Sequence, residues 1–282
     1  MNKEEVRNKL ETELRLQGKS NHTIKMYLFY NQGLLSYIKK PSHRITYDNI
    51  KQYLEYLTIS KRYNASSISL ARSALAFLYE DIMGKIHVKK IKIPKRERKL
   101  PTVLTKNEIL RILQAANSQR NRLIIELMYS CGLRVSECTK LKIEDLDLDD
   151  KSGVIRQGKG KKDRIIFLSD TVIENIKSYL KLQNYAKGYL FQNKKQQAFS
   201  TRAIQKIIKK LAKKAEIAKE IHSHMFRHAF GTHLVENGVD ITRVQMMMGH
   251  SSLDTTRLYV TLSKKALKDI KNPLDSIYEG NR

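Results

Sequence analysis

The sequence predicts a mostly α-helical protein of two domains, with one small β-hairpin in the second domain. Three observations lead to this prediction. Apolar residues recur at helical spacing in both halves of the chain, a basic stretch that contains prolines separates the halves at residues 85–101, and one region, residues 153–168, holds two strand-like segments. The 282 residues, 41% of them hydrophobic, are enough to bury a core in each of two modest domains.

The first domain, predicted at residues 1–84, has the pattern of four short amphipathic helices. Val6, Leu10 and Leu14 recur at helical spacing, and a second apolar series runs through residues 24–38. The remaining boundaries follow from turn and capping residues: Gly18 and Ser20 separate the first two helices, Pro41 ends the second, residues 46–59 form the third, and Asn64 can cap a fourth that ends near Gly84.

Residues 85–101 are predicted to be a basic linker between the domains. Eight Lys or Arg residues and a single acid, Glu97, lie between residues 85 and 99. So many like charges repel one another unless an anion lies among them, although a solvated loop without a partner is the alternative interpretation. Five cations of this stretch are predicted to contact a polyanion, namely Lys89, Lys90, Lys92, Lys95 and Arg96.

The second domain, predicted at residues 102–282, begins with a helix start signal. Thr105 and Glu108 have the spacing of a capping box, in which each side chain accepts a hydrogen bond from an amide of the first turn. Strands are predicted at residues 153–157 and 164–168, around a basic turn at residues 158–163. Further helices are predicted at residues 121–129, after Gly132 through Leu141, and at residues 201–218, 223–236, 241–248 and 263–270, with Gly238 and Gly249 as stops.

The charge balance of the whole chain indicates a polyanionic partner. Lys and Arg number 54 against 28 Asp and Glu, a formal net charge of +26, and nucleic acid is the polyanion that best fits such an excess. An anionic membrane is the alternative. No apolar run approaches the roughly 18 residues of a spanning helix, and the first ten residues have no apolar signal-peptide core. We therefore expect a cytoplasmic protein without a membrane partner.

The sulphur-containing side chains are predicted to be packing residues. Cys131 and Cys138 have neither the number nor the spacing of a disulfide framework or a zinc ribbon, so we expect them to be reduced. Met246, Met247 and Met248 lie together near the end of a predicted helix, where methionine commonly fills the core.

A possible phosphate site begins with the pair His224 and Arg227. These residues are three positions apart on a helix that Ser223 can cap, so their side chains project from one face. Helix starts attract anions, and a guanidinium adds paired hydrogen bonds to phosphate oxygens. The pair alone is a common surface feature. It gains weight from other reactive residues in the same half of the chain, which are Arg134, Lys159, His250 and Tyr259.

The order Arg134, Lys159, His224-x-x-Arg227, Gly249-His250 and Tyr259 resembles that of the tyrosine recombinases of the Xer and lambda-integrase class. The resemblance covers residues 102–282, and the helical first domain resembles the family's core-binding domain. It implies a two-domain, C-shaped DNA clamp in which the second domain is catalytic and carries a C-terminal docking helix. The length of the chain resembles the Xer branch in particular.

The resemblance implies a role for each matching residue. Arg134 and Arg227 would hold the non-bridging oxygens of the scissile phosphate, and Tyr259 would attack phosphorus to form a 3′-phosphotyrosyl bond. His224 would assist the nucleophile. The family's other positions match Lys159 as a general acid for the leaving 5′ oxygen, His250 as a ligand of the phosphate and Glu137 as a support for a catalytic basic residue, whereas Lys161 and Lys162 are interpreted as DNA backbone contacts.

This chemistry predicts no cofactor and no metal, because the phosphotyrosyl bond preserves the energy needed for rejoining. The acid-rich residues 144–150 are interpreted as a solvated turn and not as a metal site, and residues 158–163 lack the hydroxyl of a Walker A loop. Nucleotide hydrolysis is therefore disfavoured.

The resemblance further implies four protomers on two DNA sites, linked by C-terminal helices and exchanging strands through a Holliday junction. Chromosome dimer resolution is the expected role. The alternatives are an integrase of a mobile element, a type IB topoisomerase and an architectural DNA binder that uses charge alone. An accessory protein and the DNA sequence of the target are left open by the sequence.

Overall fold

The computed structural model describes residues 3–94, 102–156, 163–183, 185–193, 195–249, 256, 257 and 259. The chain forms two compact units, Met1–Lys99 and Leu100–Arg282. Both are mainly helical, and the second holds a three-stranded antiparallel sheet, which confirms the predicted mostly α class with a small β element. Within the described ranges, no helix has the length and apolarity that crossing a membrane requires.

The N-terminal unit has the four predicted α-helices, and three of them begin with a side-chain cap, including the predicted cap at Asn64. Ser20, Thr46 and Asn64 each accept a hydrogen bond from the amide three residues later. The fourth helix continues as a π-helical turn over Phe77–Ile82, and the chain then reverses at Gly84, whose φ is +63°. The helices are α1 (Lys3–Leu16), α2 (Asn21–Ile38), α3 (Tyr47–Ile59) and α4 (Ala65–Ala76).

The first part of the predicted linker packs into this N-terminal unit. A 3-10 turn, Val88–Lys90, buries Val88 completely, and Ile91 is also buried against the helices. Lys89 forms an ion pair with Asp81 at 2.6 Å. Lys90 and Lys92 are exposed, and the predicted contacts Lys95 and Arg96 lie outside the described residues.

The second unit contains seven described helices, and the sequence predicted all but one of them. The capping box of Thr105 and Glu108 is present at the start of the first, with N–H to oxygen distances of 2.8 and 3.2 Å. The helices are α5 (Lys106–Gln114), α6 (Gln119–Ser130), α7 (Val135–Lys140), α8 (Asp170–Gln183), α9 (Thr201–Lys214), α10 (Ser223–Glu236) and α11 (Ile241–Met248).

Helix α8 is the described α-helix of this unit that the sequence analysis missed. Its buried residues Val172, Ile173, Ile176 and Tyr179 follow a helical period, so the signal was present in the sequence. They join the same core as α6 and α9. The helix predicted at residues 263–270 lies outside the described residues.

The sheet has the order β1 (Leu146–Asp147), β2 (Ser152–Ile155) and β3 (Arg164–Phe167). The predicted hairpin is confirmed, with Val154 opposite Ile165 and Ile155 opposite Arg164. Strand β1 falls within the acid-rich segment that was predicted to be a solvated turn. Pairing of Leu146 with Gly153 adds it to the sheet, because leucine alternates there with exposed acids.

One packing prediction and one capping prediction need correction, whereas the prediction for the cysteines is confirmed. Cys131 and Cys138 are reduced and buried. Of the three methionines expected in the core, Met248 is buried and Met247 is partly buried, but Met246 is 66% exposed because it lies on the outer face of α11. Helix α10 begins with His222 in the capping position, without a side-chain cap, so Ser223 does not cap the helix as expected.

Candidate active site

Arg134 lies at the junction of α6 and α7, where a tight turn orients it. Helix α6 ends at Ser130, and Gly132 turns the chain with a φ of +58°. A Cβ on Gly132 would lie 2.5 Å from the ring of Phe230, so both the backbone angle and the packing favour glycine. The chain then enters α7 with Arg134 in the capping position.

Glu137 fixes the position of Arg134. Its carboxylate accepts from the backbone N–H of Arg134 at 2.9 Å and from Nη1 of the same residue at 2.6 Å. Burial alone would raise the pKa of this carboxyl, but the charges of Arg164 and Arg134 and the hydrogen bonds from Arg134 outweigh burial and lower it. Glu137 is therefore an anion that holds a partly buried guanidinium in place.

Arg164 forms a second bridge to the same carboxylate. From the first position of β3, its Nη2 donates to Glu137 Oε2 at 2.8 Å and its Nη1 donates to the carbonyl of Met247 at 2.9 Å. The side chain is 8% exposed. Arg164 thus connects α7 with the C-terminal end of α11.

Arg227 is the most deeply buried cation of the site. The residue is 3% exposed, and its guanidinium donates to the carbonyl of Gly132 at 2.5 Å and to the carbonyl of Met248. Burial and, after it, the nearby charges of Arg134 and Arg164 together lower its pKa to about 10. Arg227 stays cationic at neutral pH, in a position set by the turn at Gly132 and by the last residue of α11.

His224 and His228 lie on the same side of α10 as the arginine cluster. His224 is exposed at the first turn, and partial burial followed by the charge of Arg227 lowers its pKa. Burial lowers the pKa of His228 to about 4, and its Nδ1 is buried without a hydrogen-bond partner among the described residues. Both imidazoles are therefore neutral at physiological pH, and a neutral imidazole can accept a proton.

Tyr259 packs against α10, next to these histidines. It is 2% exposed, and its ring centroid lies 5.9 Å from that of His228. A Cβ on Gly231 would come within 2.9 Å of the Tyr259 ring, so glycine makes room for this close approach. Burial raises the pKa of the phenol, and the positive charges of Arg227 and Arg134 partly offset that rise. The hydroxyl is thus within the electrostatic reach of both arginines.

The fold brings together five of the predicted site residues from three separate parts of the chain. They are Arg134, Glu137, His224, Arg227 and Tyr259. With Arg164 included, three guanidinium groups lie around the single carboxylate of Glu137. The cluster therefore has an excess of positive charge, which suits the binding of an anion with several oxygens. The predicted residues Lys159, Lys161, Lys162 and His250 lie outside the described residues.

The acids of residues 144–150 have structural partners instead of converging on one point. Asp145 pairs with Arg156 at 2.6 Å, and Glu144 accepts from the backbone N–H of Gly188 at 2.9 Å. Asp147 accepts from two amides in the turn that follows it. These contacts explain the acid-rich stretch as part of the sheet and its turn.

Sequence reasoning missed two residues of the cluster, Arg164 and the half-buried His228. Arg164 alternates with Ile166 and Leu168 on the inward side of β3, whereas Ile165 and Phe167 are exposed. The alternation of the side chains between the two faces of β3 could be predicted from the sequence. Hydrophobicity alone, however, would place Ile165 and Phe167 on the buried face and Arg164 on the exposed face, which is the reverse of the structure. His228 belongs to no motif of the sequence, and its contact with Tyr259 depends on the tertiary fold.

Comparison with known families agrees with this geometry. The phage integrase family matches residues 102–266, and the N-terminal SAM-like domain of phage integrases matches residues 6–87. The first match alone spans more than half of the chain and includes every residue of the cluster described above.

Individual relatives match over nearly the full length. Tyrosine recombinase XerA of Pyrococcus horikoshii is 36% identical over 263 residues, which cover 92% of this chain and 89% of the relative. Tyrosine recombinase XerD of Staphylococcus saprophyticus is 38% identical over 279 residues, covering 91% and 93%.

A solved structure extends the comparison to the fold. The site-specific recombinase XerH, in a post-cleavage complex with its palindromic difH substrate, has a TM-score of 0.71 and 26% identity, with coverage of 91% of this chain and 80% of that one. The sequence matches, the shared fold and the clustered arginines lead to one conclusion. The chain belongs to the phage integrase family and is a Xer-like tyrosine recombinase.

Proposed function

We propose that this protein is a site-specific DNA recombinase that cuts and rejoins strands through a covalent bond between Tyr259 and a DNA phosphate. The observation that carries the proposal is that Tyr259 packs against α10, the helix that carries Arg227, where the charges of Arg227 and Arg134 act on the pKa of its phenol. A phenol and two guanidinium groups from distant parts of the chain have no shared packing role that requires this proximity. A phosphodiester is the substrate that needs both groups at once.

In the proposed reaction, the oxygen of Tyr259 attacks phosphorus and the bond from phosphorus to the 5′ oxygen breaks. Negative charge grows on the non-bridging oxygens, where Arg134 and Arg227 stabilise it more in the transition state than in the ground state. The phenol transfers its proton to a base, for which the neutral His224 is our choice. The products are a 3′-phosphotyrosyl bond and a free 5′ hydroxyl, and reversal of the same steps on a new 5′ hydroxyl joins strands.

Two further roles rest on the resemblance of the sequence alone. Lys159 protonates the departing 5′ oxygen as a general acid, and His250 donates a hydrogen bond to the phosphate. Lys161 and Lys162 contact the DNA backbone beside them. Glu137 holds Arg134 and does not touch the substrate, which agrees with its burial and its two hydrogen bonds to that residue.

Double-stranded DNA is the proposed partner. The net charge of +26 supports a polyanion, and the relative XerH was crystallised on a DNA substrate. Both units, the helical N-terminal unit and the catalytic unit, are proposed to bind the duplex. The exposed Lys90 and Lys92 are proposed DNA contacts in the segment that leads from one unit to the other.

The assembly proposed for the reaction is a tetramer on two DNA sites, with strand exchange through a Holliday junction. An apolar series after Tyr259, at Leu262, Ala266, Leu267 and Ile270, is proposed to dock into a neighbouring protomer. Chromosome dimer resolution is the favoured biological role, since the XerA and XerD relatives are similar over almost their whole length. Integration of a mobile element is the second candidate.

The covalent step can be tested directly with a nicked duplex that releases a short strand and so traps the cleaved state. The wild type should form a protein–DNA product that resists denaturant and maps to Tyr259. Tyr259→Phe should bind the same duplex with equal affinity and form no product, because only the nucleophilic oxygen is removed. An architectural DNA binder would show no difference between the two proteins, and no product from the wild type would refute the enzyme.

The assembly proposal has its own test. Deletion of residues 262–282 should abolish synaptic complexes and recombination of two-site substrates, because the docking contact is lost. A type IB topoisomerase acts alone, so the truncated protein would then still relax supercoiled DNA while the full chain gave no recombinants. Synaptic complexes formed by the truncated protein would disprove docking through this segment.

The biological role needs a separate experiment, the mapping of covalent protein–DNA adducts on genomic DNA. Dimer resolution predicts adducts at one chromosomal site, whereas integration predicts adducts at the ends of a mobile element.

A further inference from the structure

We propose that Arg164 is a positioning residue of the recombinase, which holds the Arg134–Glu137 pair and the C-terminal end of α11 in one arrangement. This inference rests on the proposed function. Arg164 would act through its neighbours and would not touch DNA.

The first support is the shared carboxylate. Glu137 binds Arg134 through Oε1 at 2.6 Å and Arg164 through Oε2 at 2.8 Å, so the two guanidinium groups grip the carboxylate from both oxygens. The other two groups that donate to this carboxylate, Nη1 and the backbone N–H, both belong to Arg134, so Arg164 supplies its contact with a different part of the chain, strand β3. The direction in which Arg134 points is therefore set in part by Arg164.

The second support is the other end of the same guanidinium. Nη1 of Arg164 donates to the carbonyl of Met247, and Arg227 donates to the carbonyl of the next residue, Met248. These two bonds cap the C-terminal end of α11, just before the left-handed turn at Gly249. Arg164 thereby ties the arginine cluster to the segment that carries the remaining predicted site residues.

The third support comes from the cost of this placement. Arg164 is almost fully buried on the inward side of β3, and its Nε has no hydrogen-bond partner among the described residues. Burial of a charged group at such a position favours folding less than an apolar side chain of similar size does. Packing alone does not explain an arginine at this position. A role in positioning Glu137 and, through it, Arg134 does explain it.

The test uses single-turnover cleavage of the nicked duplex by full-length Arg164→Met and Arg164→Lys. Arg164→Met should cleave about 10- to 100-fold more slowly at saturating DNA, with DNA affinity unchanged, because the scissile phosphate is bound but its cationic clamp is misplaced. Arg164→Lys should be intermediate, since one ammonium cannot span both the carboxylate and the carbonyl. Arg122→Met is the matched control, because Arg122 also pairs with a buried carboxylate, that of Glu126 at 2.9 Å, within helix α6.

A second substrate separates positioning from a general loss of structure. A methylphosphonate at the scissile position carries no negative charge, so its cleavage depends less on the charge of Arg134. The defect of Arg164→Met should therefore shrink several-fold on the methylphosphonate. A merely structural defect would be equal on both substrates.

Three results would overturn the inference: wild-type cleavage by Arg164→Lys, an equal defect of the variants on the two substrates, or a defect confined to DNA affinity. If Arg164→Met does not fold, Arg164→Lys keeps the buried charge and the same comparison of substrates decides. Failure of the wild type to form any covalent product would instead refute the proposed function, so the two failures can be told apart.

Discussion

His228 shows how the environment of one residue changes its chemistry. Its imidazole lies between His224 and Tyr259, with ring centroids 6.3 and 5.9 Å away. Burial, and then the neighbouring histidines and Arg227, keep it neutral down to a pKa of about 4, where an ordinary histidine has 6.5. His228 therefore packs near Tyr259 as a neutral aromatic ring and adds no further positive charge to the site.

This shift predicts a loss of stability in acid. Between pH 6.5 and about 4 the unfolded chain binds a proton at residue 228 and the native protein does not, so the free energy of unfolding falls as the pH drops through this window. His224 and His233 have lowered pKa values and act in the same direction. Denaturant titrations across this range should show the decrease.

The variant His228→Gln isolates the contribution of this one group. The variant lacks the titrating imidazole of residue 228. Its free energy of unfolding should therefore fall less than that of the wild type as the pH drops through the window. Parallel curves for the two proteins would contradict the assignment of the shift to His228. Activity is not the readout here, because the variant also alters the surface against which Tyr259 packs.

At the scale of elements, the end of α11 is the structure on which several parts of the site depend. Gly249 ends this helix with a φ of +61°, and a Cβ there would lie 2.5 Å from Cδ of Arg164. Glycine is thus needed for two separate reasons, backbone conformation and the close approach of the Arg164 stem.

A pair of matched variants separates these two reasons. Gly238→Ala also places alanine at positive φ, +79°, but nothing lies within 4 Å of its Cβ, so it should cost only the roughly 1–2 kcal/mol of the left-handed backbone. Gly249→Ala should destabilise the protein by about 1–3 kcal/mol more, because Arg164 must move. Thermal unfolding of both variants checks this, and equal losses would mean that the contact with Arg164 has no energetic weight.

At the scale of the whole molecule, charge dominates the expected behaviour. The excess of 54 Lys and Arg over 28 Asp and Glu is spread over both units, so binding should release many counterions from DNA. We expect the affinity for a duplex to fall by roughly 10³ or more over a few-fold increase in salt. Fluorescence anisotropy at several salt concentrations measures the slope, and a shallow slope would argue against phosphate contacts as the main source of affinity.

Individual linker lysines refine this measurement. Lys90→Ala and Lys92→Ala should each lower the salt slope by about one, if each cation neutralises one phosphate. Lys89→Ala should lower it less, because Asp81 already compensates that charge at 2.6 Å. An equal effect of all three variants would show that the ion pair opens on DNA.

Local patterns were enough to predict most helices and the hairpin. Helix starts at Thr46, Asn64 and Thr105 could be read because capping is a short-range interaction between residues three positions apart. Helix α8 was missed although its apolar period is regular. The short strand β1 was not predicted, because two residues carry no period of their own and are strands only through pairing with β2.

The sequence by itself determined the excess of positive charge, the mostly helical class and the set of candidate reactive residues, since charge, periodicity and motif spacing are all properties of the linear chain. Only the tertiary structure decided that Arg134, Arg227 and Tyr259 meet, that Arg164 joins them through Glu137, and that His228 is neutral. The physical reason is that distances between residues far apart in sequence, and the burial that shifts a pKa, exist only once the helices have packed. Which face of β3 turns inward was likewise decided by the register of the hairpin, against the hydrophobicity of its own residues.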